Sequence, residues 1–184
     1  MVNPVPSYAG TSILHMKDAV RALYGESVLR EGLSRLDPEV RSQLEHATPM
    51  GWVPADSLAQ AIEAWSGIAG VGGDDMTVRC ARHATTQTLT TVWRLFLSLT
   101  TDAALITRAP ILYSKTRNVG ELTVEGVEKG RARLVVRGWP GMSDRQLLSL
   151  CTNVETLLDL TGRKGPSAHA KRTADGGVIE LRWR

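Results

Sequence analysis

Ile13, Met16, Val20 and Leu23 fall three or four residues apart, which places them on one face of a helix through "SILHMKDAVRALYG". Thr11 or Ser12 can cap its start, and Gly25 ends it. In "ESVLREGLSRL", Val28, Leu29, Leu33 and Leu36 share one side of a second helix. Asp37 followed by Pro38 is a restart signal, a cap residue and then proline at the first helical position, for the short helix "PEVRSQLEHA". "TPMGWVP" reads as a turn with Trp52 tucked inward. "ADSLAQAIEAWSG" reads as a helix with Leu58, Ile62 and Trp65 in line. The longest helix is expected over 75–99, with Val78, Ala81, Leu89, Val92, Phe96 and Leu99 as a core stripe. Arg79, His83, Thr90 and Arg94 lie opposite that stripe. "TTDAALITRA" adds a helical turn or two, closed by Pro110.

Beyond residue 120 the period changes. Leu122 and Val124 alternate with Glu121, Thr123 and Glu125, and Ala132, Leu134 and Val136 alternate with Arg131, Arg133 and Arg137. Two such runs joined by "GVEKG" predict a β-hairpin. Ser143 with Gln146 is a capping-box pair for the helix "DRQLLSLCTNVETLLDL", which Gly162 terminates. "SAHAKRT", a turn at "ADGG" and "VIELRWR" form a second hairpin, with Ile179, Leu181 and Trp183 facing one way. The expected fold class is α+β: N-terminal helices, then a β-β-α-β-β antiparallel four-stranded sheet with one face covered by helices. Residues 1–10 are expected to be a flexible lead-in. Residues 11–184 are expected to be one domain, helical over 11–110 and sheet over 111–184.

Charge changes the picture in the last third. Residues 1–114 carry a net charge of −2 and residues 115–184 carry +5. A basic half with a pI near 9.1 raises nucleic acid as a partner. Charge spread over strand faces is more often solvated surface, so nucleic acid is not the expected partner. The two cysteines, Cys80 and Cys151, lie in no Cys-x-x-Cys pair, so neither zinc nor a structural disulfide is expected. Cys151 falls on the apolar face of its helix, as a buried thiol would. No run reaches the roughly 18–20 apolar residues of a membrane helix. With no basic flank and apolar core at its start, the chain reads as cytoplasmic.

"GIAGVGGDD" lacks the Gly-Lys-Ser/Thr ending of a P-loop and reads as a helix terminator plus linker. There is no Gly-x-Ser-x-Gly, no His-Glu-x-x-His and no Cys–His pair in context, so no enzyme activity is expected. His15, His46 and His169 lack metal-binding partners. His83 shares a helix stripe with Arg79 that could line an anion pocket, although a solvated helix face is the plainer reading.

Longer stretches carry a resemblance. "YAGTSILHMKDAVRALYGESVLREGL", with Tyr24-Gly25-Glu26 at its helix end, is similar to the opening of the haem-NO-binding superfamily. "GWVPADSLAQAIEA" and "APILYSKTRNVGELTVEG" resemble a paralogous family of uncharacterised myxobacterial proteins, itself similar to that superfamily and to 4-vinyl-reductase-type ligand domains. The resemblance implies a propionate-binding Tyr-x-Ser-x-Arg. Here Tyr113-Ser-Lys-Thr-Arg117 places Lys115 at the serine position, and a strand is expected next, where the sensors have a helix. Arg117 could pair an anion, but with Lys115 it reads more simply as a solvated turn before the hairpin. The resemblance also implies a haem-ligating histidine before the proline that precedes the sheet. The stretch "FLSLTTDAALITRAP", residues 96–110, holds none.

The expectation is therefore a haem-free sensory or regulatory domain without cofactor or metal. It would bind a small apolar or anionic ligand, a signalling partner, or both. Trp52, Val92, Trp93 and Phe96 are candidate pocket walls, although filling the core is the simpler role for them. Arg79, His83, Tyr113 and Arg117 are the candidate polar anchors. The alternatives are a ligand-free interaction scaffold, homodimeric through the edge of "VIELRWR", and a haem gas sensor with a displaced ligand such as His83.

Overall fold

The computed structural model describes residues 4–88 and 101–184. Strand β1 (Ser7–Ala9) pairs antiparallel with β2 (Trp52–Pro54), Tyr8 opposite Val53. Ser7, Tyr8 and Ala9 are all buried, so the expected flexible lead-in over 1–10 is corrected at its last residues. A three-residue strand is too short to show alternation, so it leaves no local signal. Helix α1 (Gly10–Tyr24) follows directly, and Gly25 at φ 95° turns the chain into α2 (Glu26–Ser34). Helix α3 (Pro38–Glu45) starts on its proline, as the Asp-Pro signal predicts.

Helix α4 (Ala55–Ala69) packs against α2 at very short range. A methyl group on Gly32 would stand 2.1 Å from Trp65 Cδ1, so only glycine lets the indole in. Trp65 is fully buried, and its Nε1 donates to the Leu29 carbonyl at 3.2 Å, which satisfies its one donor. Ile13, Val20, Leu29, Leu44, Ala61 and Met76 complete this core. Trp52 departs from expectation: it is 48% exposed on β2 rather than tucked into a turn.

Helix α5 runs Gly73–Thr88, and the rest of the expected long helix lies outside the described residues. Its buried positions are Met76, Thr77, Cys80 and Ala81, so the inward face is rotated from the expected stripe and Val78 is only half-buried. After Thr101 caps α6 (Asp102–Ile106), helix α7 spans Ala109–Thr116. Pro110 was expected to close a helix, but it sits in the first turn of α7, where a missing N–H costs nothing. Lys115 and Arg117 were expected in a solvated turn, but Lys115 lies in the last turn of that helix and Arg117 just beyond it is buried.

The sheet comprises β3 (Glu121–Glu128), β4 (Arg131–Arg137), β5 (Ser167–Thr173) and β6 (Gly176–Arg182), in the order β3-β4-β6-β5, antiparallel throughout. Helix α8 (Asp144–Leu160) covers one face, with Leu147 packed against Gly177 of β6. Ser143 and Gln146 form the expected capping box. Leu122, Ala132, Leu134, Val136, Ile179 and Leu181 are buried as their alternation predicts. The fold class is α+β. One detail is corrected: β6, expected as the pairing edge, is interior, and the described edges are β3 and β5.

The chain forms two compact units rather than helical and sheet parts meeting at residue 110. One unit is Met1–Ala84 with Lys115–Val119, and the other is Thr85–Ser114 with Gly120–Arg184.

Candidate functional site

In the first unit, the segment 117–118 is stapled to β1. Tyr8 bridges to Arg117 in the backbone, and Asn118 N–H donates to the Ser7 carbonyl. Asn118 Oδ1 accepts from Ser7 N–H at 2.7 Å, and its Nδ2 donates to the Val5 carbonyl at 2.9 Å. These bonds lay the Arg117 guanidinium over the Tyr8 ring, 5.4 Å from its centroid, with Nη1 donating to Thr116 Oγ1. Arg117 is only 8% exposed there. A guanidinium tolerates such burial because its flat face packs on an aromatic ring while its edge donates hydrogen bonds.

Arg79 and His83 lie one turn apart on α5 and behave differently. Arg79 is exposed and pairs with Asp75 at 2.9 Å, the ordinary i, i+4 contact of a solvated helix face. His83 is half-buried. The phenol oxygen of Tyr24, buried without a hydrogen-bond partner, is pushed toward a higher pKa chiefly by that burial, then by the nearby Cys80. Tyr24 belongs to the Tyr-Gly-Glu signature, but no local pattern signals that its hydroxyl is enclosed.

In the second unit, Tyr113 is 3% exposed, and its hydroxyl would stand 2.8 Å from a methyl on Gly120. Val92, Trp93 and Phe96 lie outside the described residues. A polar network missed by sequence reasoning links α6 to the sheet's end. Asp102 Oδ1 accepts from Arg163 Nε at 2.8 Å, and Oδ2 accepts from Trp183 Nε1 at 2.8 Å. Burial disfavours the Asp102 carboxylate, but the Trp183 and Arg163 donors outweigh it and hold the carboxyl below its ordinary range. The network borders an open cleft of about 590 Å³ that also takes in Lys129, Gly130 and Arg184.

Comparison with solved structures decides the fold family. An oxygen-binding H-NOX domain related to soluble guanylate cyclases, in its oxygen complex, superposes with a TM-score of 0.69 at 12% identity, covering 95% of this chain and 93% of that one. The Fe(II) unliganded H-NOX protein from K. algicida gives 0.67 at 12% identity, covering 96% of each chain. The fold is that of H-NOX domains. A structure concerned with haem redox potential and protein-induced porphyrin distortion matches at 0.69 and 13% identity, over 96% of this chain and 99% of that one. No family model matches the chain, and no curated protein matches it in sequence.

The H-NOX fold brings haem into question, and iron needs a nitrogen or sulfur axial ligand. The chain has four histidines: His15, His46 and His169 are exposed, and His83 is half-buried. Burial pushes both the Cys80 and Cys151 thiols up to about 12. Among the described residues, no three His, Cys, Asp or Glu side chains gather where they could hold a metal ion.

Proposed function

We propose that this chain is a haem-free sensory or regulatory domain of a signalling system, without catalysis of its own. It binds a small apolar or anionic ligand or a partner protein. One observation carries the reading: an H-NOX fold over nearly the whole chain, in which the segment before Pro110 has no histidine. The buried Arg117 fits the same reading. It stacks on Tyr8 and donates to Thr116 Oγ1.

The test is haemin reconstitution of the purified full chain, followed by absorption spectroscopy. The expected spectrum is that of free haemin, identical for the chain and for His83→Ala. A sharp protein-bound Soret band, lost in His83→Ala, would establish the displaced-ligand sensor and end the present reading.

A second reading, an interaction scaffold with no small ligand, is favoured by α7. Its consecutive Ile111 and Leu112 are 56% and 53% exposed, an unusual placement for two large aliphatic side chains on one short helix.

A further inference from the structure

The positive excess of the C-terminal part gathers at one end of the second unit's sheet, and backbone pairing shows how. Arg131 stands opposite Arg182 in the β4–β6 register. Pairing continues past the strand ends, with Trp183 N–H donating to the Gly130 carbonyl at 2.9 Å. Lys164 and Arg184 exchange two backbone hydrogen bonds, at 2.8 and 2.9 Å. Residues 129–131, 182–184 and 164 therefore lie side by side, and Lys129, Gly130, Trp183 and Arg184 among them line the cleft beside Asp102.

Two carboxylates at this end are engaged. Asp102 is bonded by Arg163 and Trp183, and Glu128 by Arg131. The Arg163 side chain, 10% exposed, forms part of the wall and also donates to the Thr161 carbonyl. Lys129, Lys164, Arg182 and Arg184 are exposed and have no ion pair or side-chain hydrogen bond among the described residues. Like charges directly opposite each other on neighbouring strands destabilise a sheet, so the Arg131–Arg182 pairing is a cost the fold itself does not require. Such local conflicts are expected where a site needs them.

We infer that this cleft is an anion-binding site for a small phosphorylated ligand, held by Lys129 and Arg184. Guanidinium and ammonium groups are the side chains that recognise phosphoryl oxygens. A nucleic-acid backbone would need the positive track to continue along the outer sheet face. It stops there: Arg133 is bonded to Glu125 and Glu180, and Arg137 to Glu125. The site is independent of the haem question.

Calorimetric titration of the full chain with sodium pyrophosphate tests it, with an equally charged single-stranded oligonucleotide as the competing probe, at roughly 50 and 200 mM salt. The expected result is saturable one-site pyrophosphate binding, weakened at least about tenfold in the Lys129→Gln/Arg184→Gln double variant. Arg35→Gln, an exposed arginine of the first unit, leaves it unchanged. Absence of saturable binding at the lower salt would overturn the inference. So would equal weakening by Arg35→Gln, or tighter binding of the oligonucleotide.

Discussion

Asp102 shows what one residue does here that its place in the chain did not announce. Between α6 and the end of the sheet it accepts from a nearly buried guanidinium and an indole, and its carboxyl is held below the ordinary range. The unfolded chain therefore takes up this proton at a higher pH than the folded one. The linked stability is fully present above the unfolded value near 4 and is lost as pH falls through the folded one. Urea melts are expected to show a midpoint that drops below about pH 4, and that drop should be smaller in Asp102→Asn. At neutral pH the same variant costs about 2 kcal/mol, since the part-buried Arg163 loses its carboxylate. An unchanged neutral-pH midpoint would show that the network contributes nothing. Arg117 carries the same lesson: buried just past a helix end, it was read as solvated because the chain was taken to be a turn there.

At the scale of the element, local signals held where they were chemical and failed where they relied on length. The Ser143/Gln146 capping box is present with both of its bonds, and the Asp37-Pro38 start is met by α3. Ser143→Ala is expected to lower stability by about 1 kcal/mol, and Gln146→Ala by less, in thermal melts followed by circular dichroism. Equal, negligible effects would mean that α8 is held by packing alone. Alternation in β3, β4 and β6 identified their buried faces correctly, because side-chain direction along a strand follows from covalent geometry. Pro110 misled: a proline closes a helix or opens one depending on which side the chain is helical, and only neighbouring structure settles which.

For the whole molecule, the β3-β4-β6-β5 order matters more to association than any strand's composition. It makes β6 interior and leaves β5, with its exposed His169, Lys171 and Arg172, at an edge. Charged edge residues discourage strand pairing between copies. If the scaffold reading is right, self-association runs through the exposed aliphatic pair of α7. Light scattering on a sizing column would then show a dimer that Ile111→Lys/Leu112→Lys converts to monomer. A concentration-independent monomer in the parent chain would remove the homodimeric form of that reading.

The sequence by itself determined the α+β class, most helix positions, the two hairpins and the basic bias of the last third. It also fixed the absence of histidine before Pro110. Each of these follows from periodicity, caps or residue identity, which are local properties. Tertiary structure alone decided that Ser7–Ala9 is a buried strand, that 115–119 rejoins the first unit, that β6 is interior, and that Arg163 and Trp183 converge on Asp102. The partners in that last network stand 61 and 81 residues apart in the chain, and Lys129 and Arg184 of the cleft come from two separate segments. No local pattern encodes such meetings, because they arise only when packing of the apolar faces brings distant segments into register.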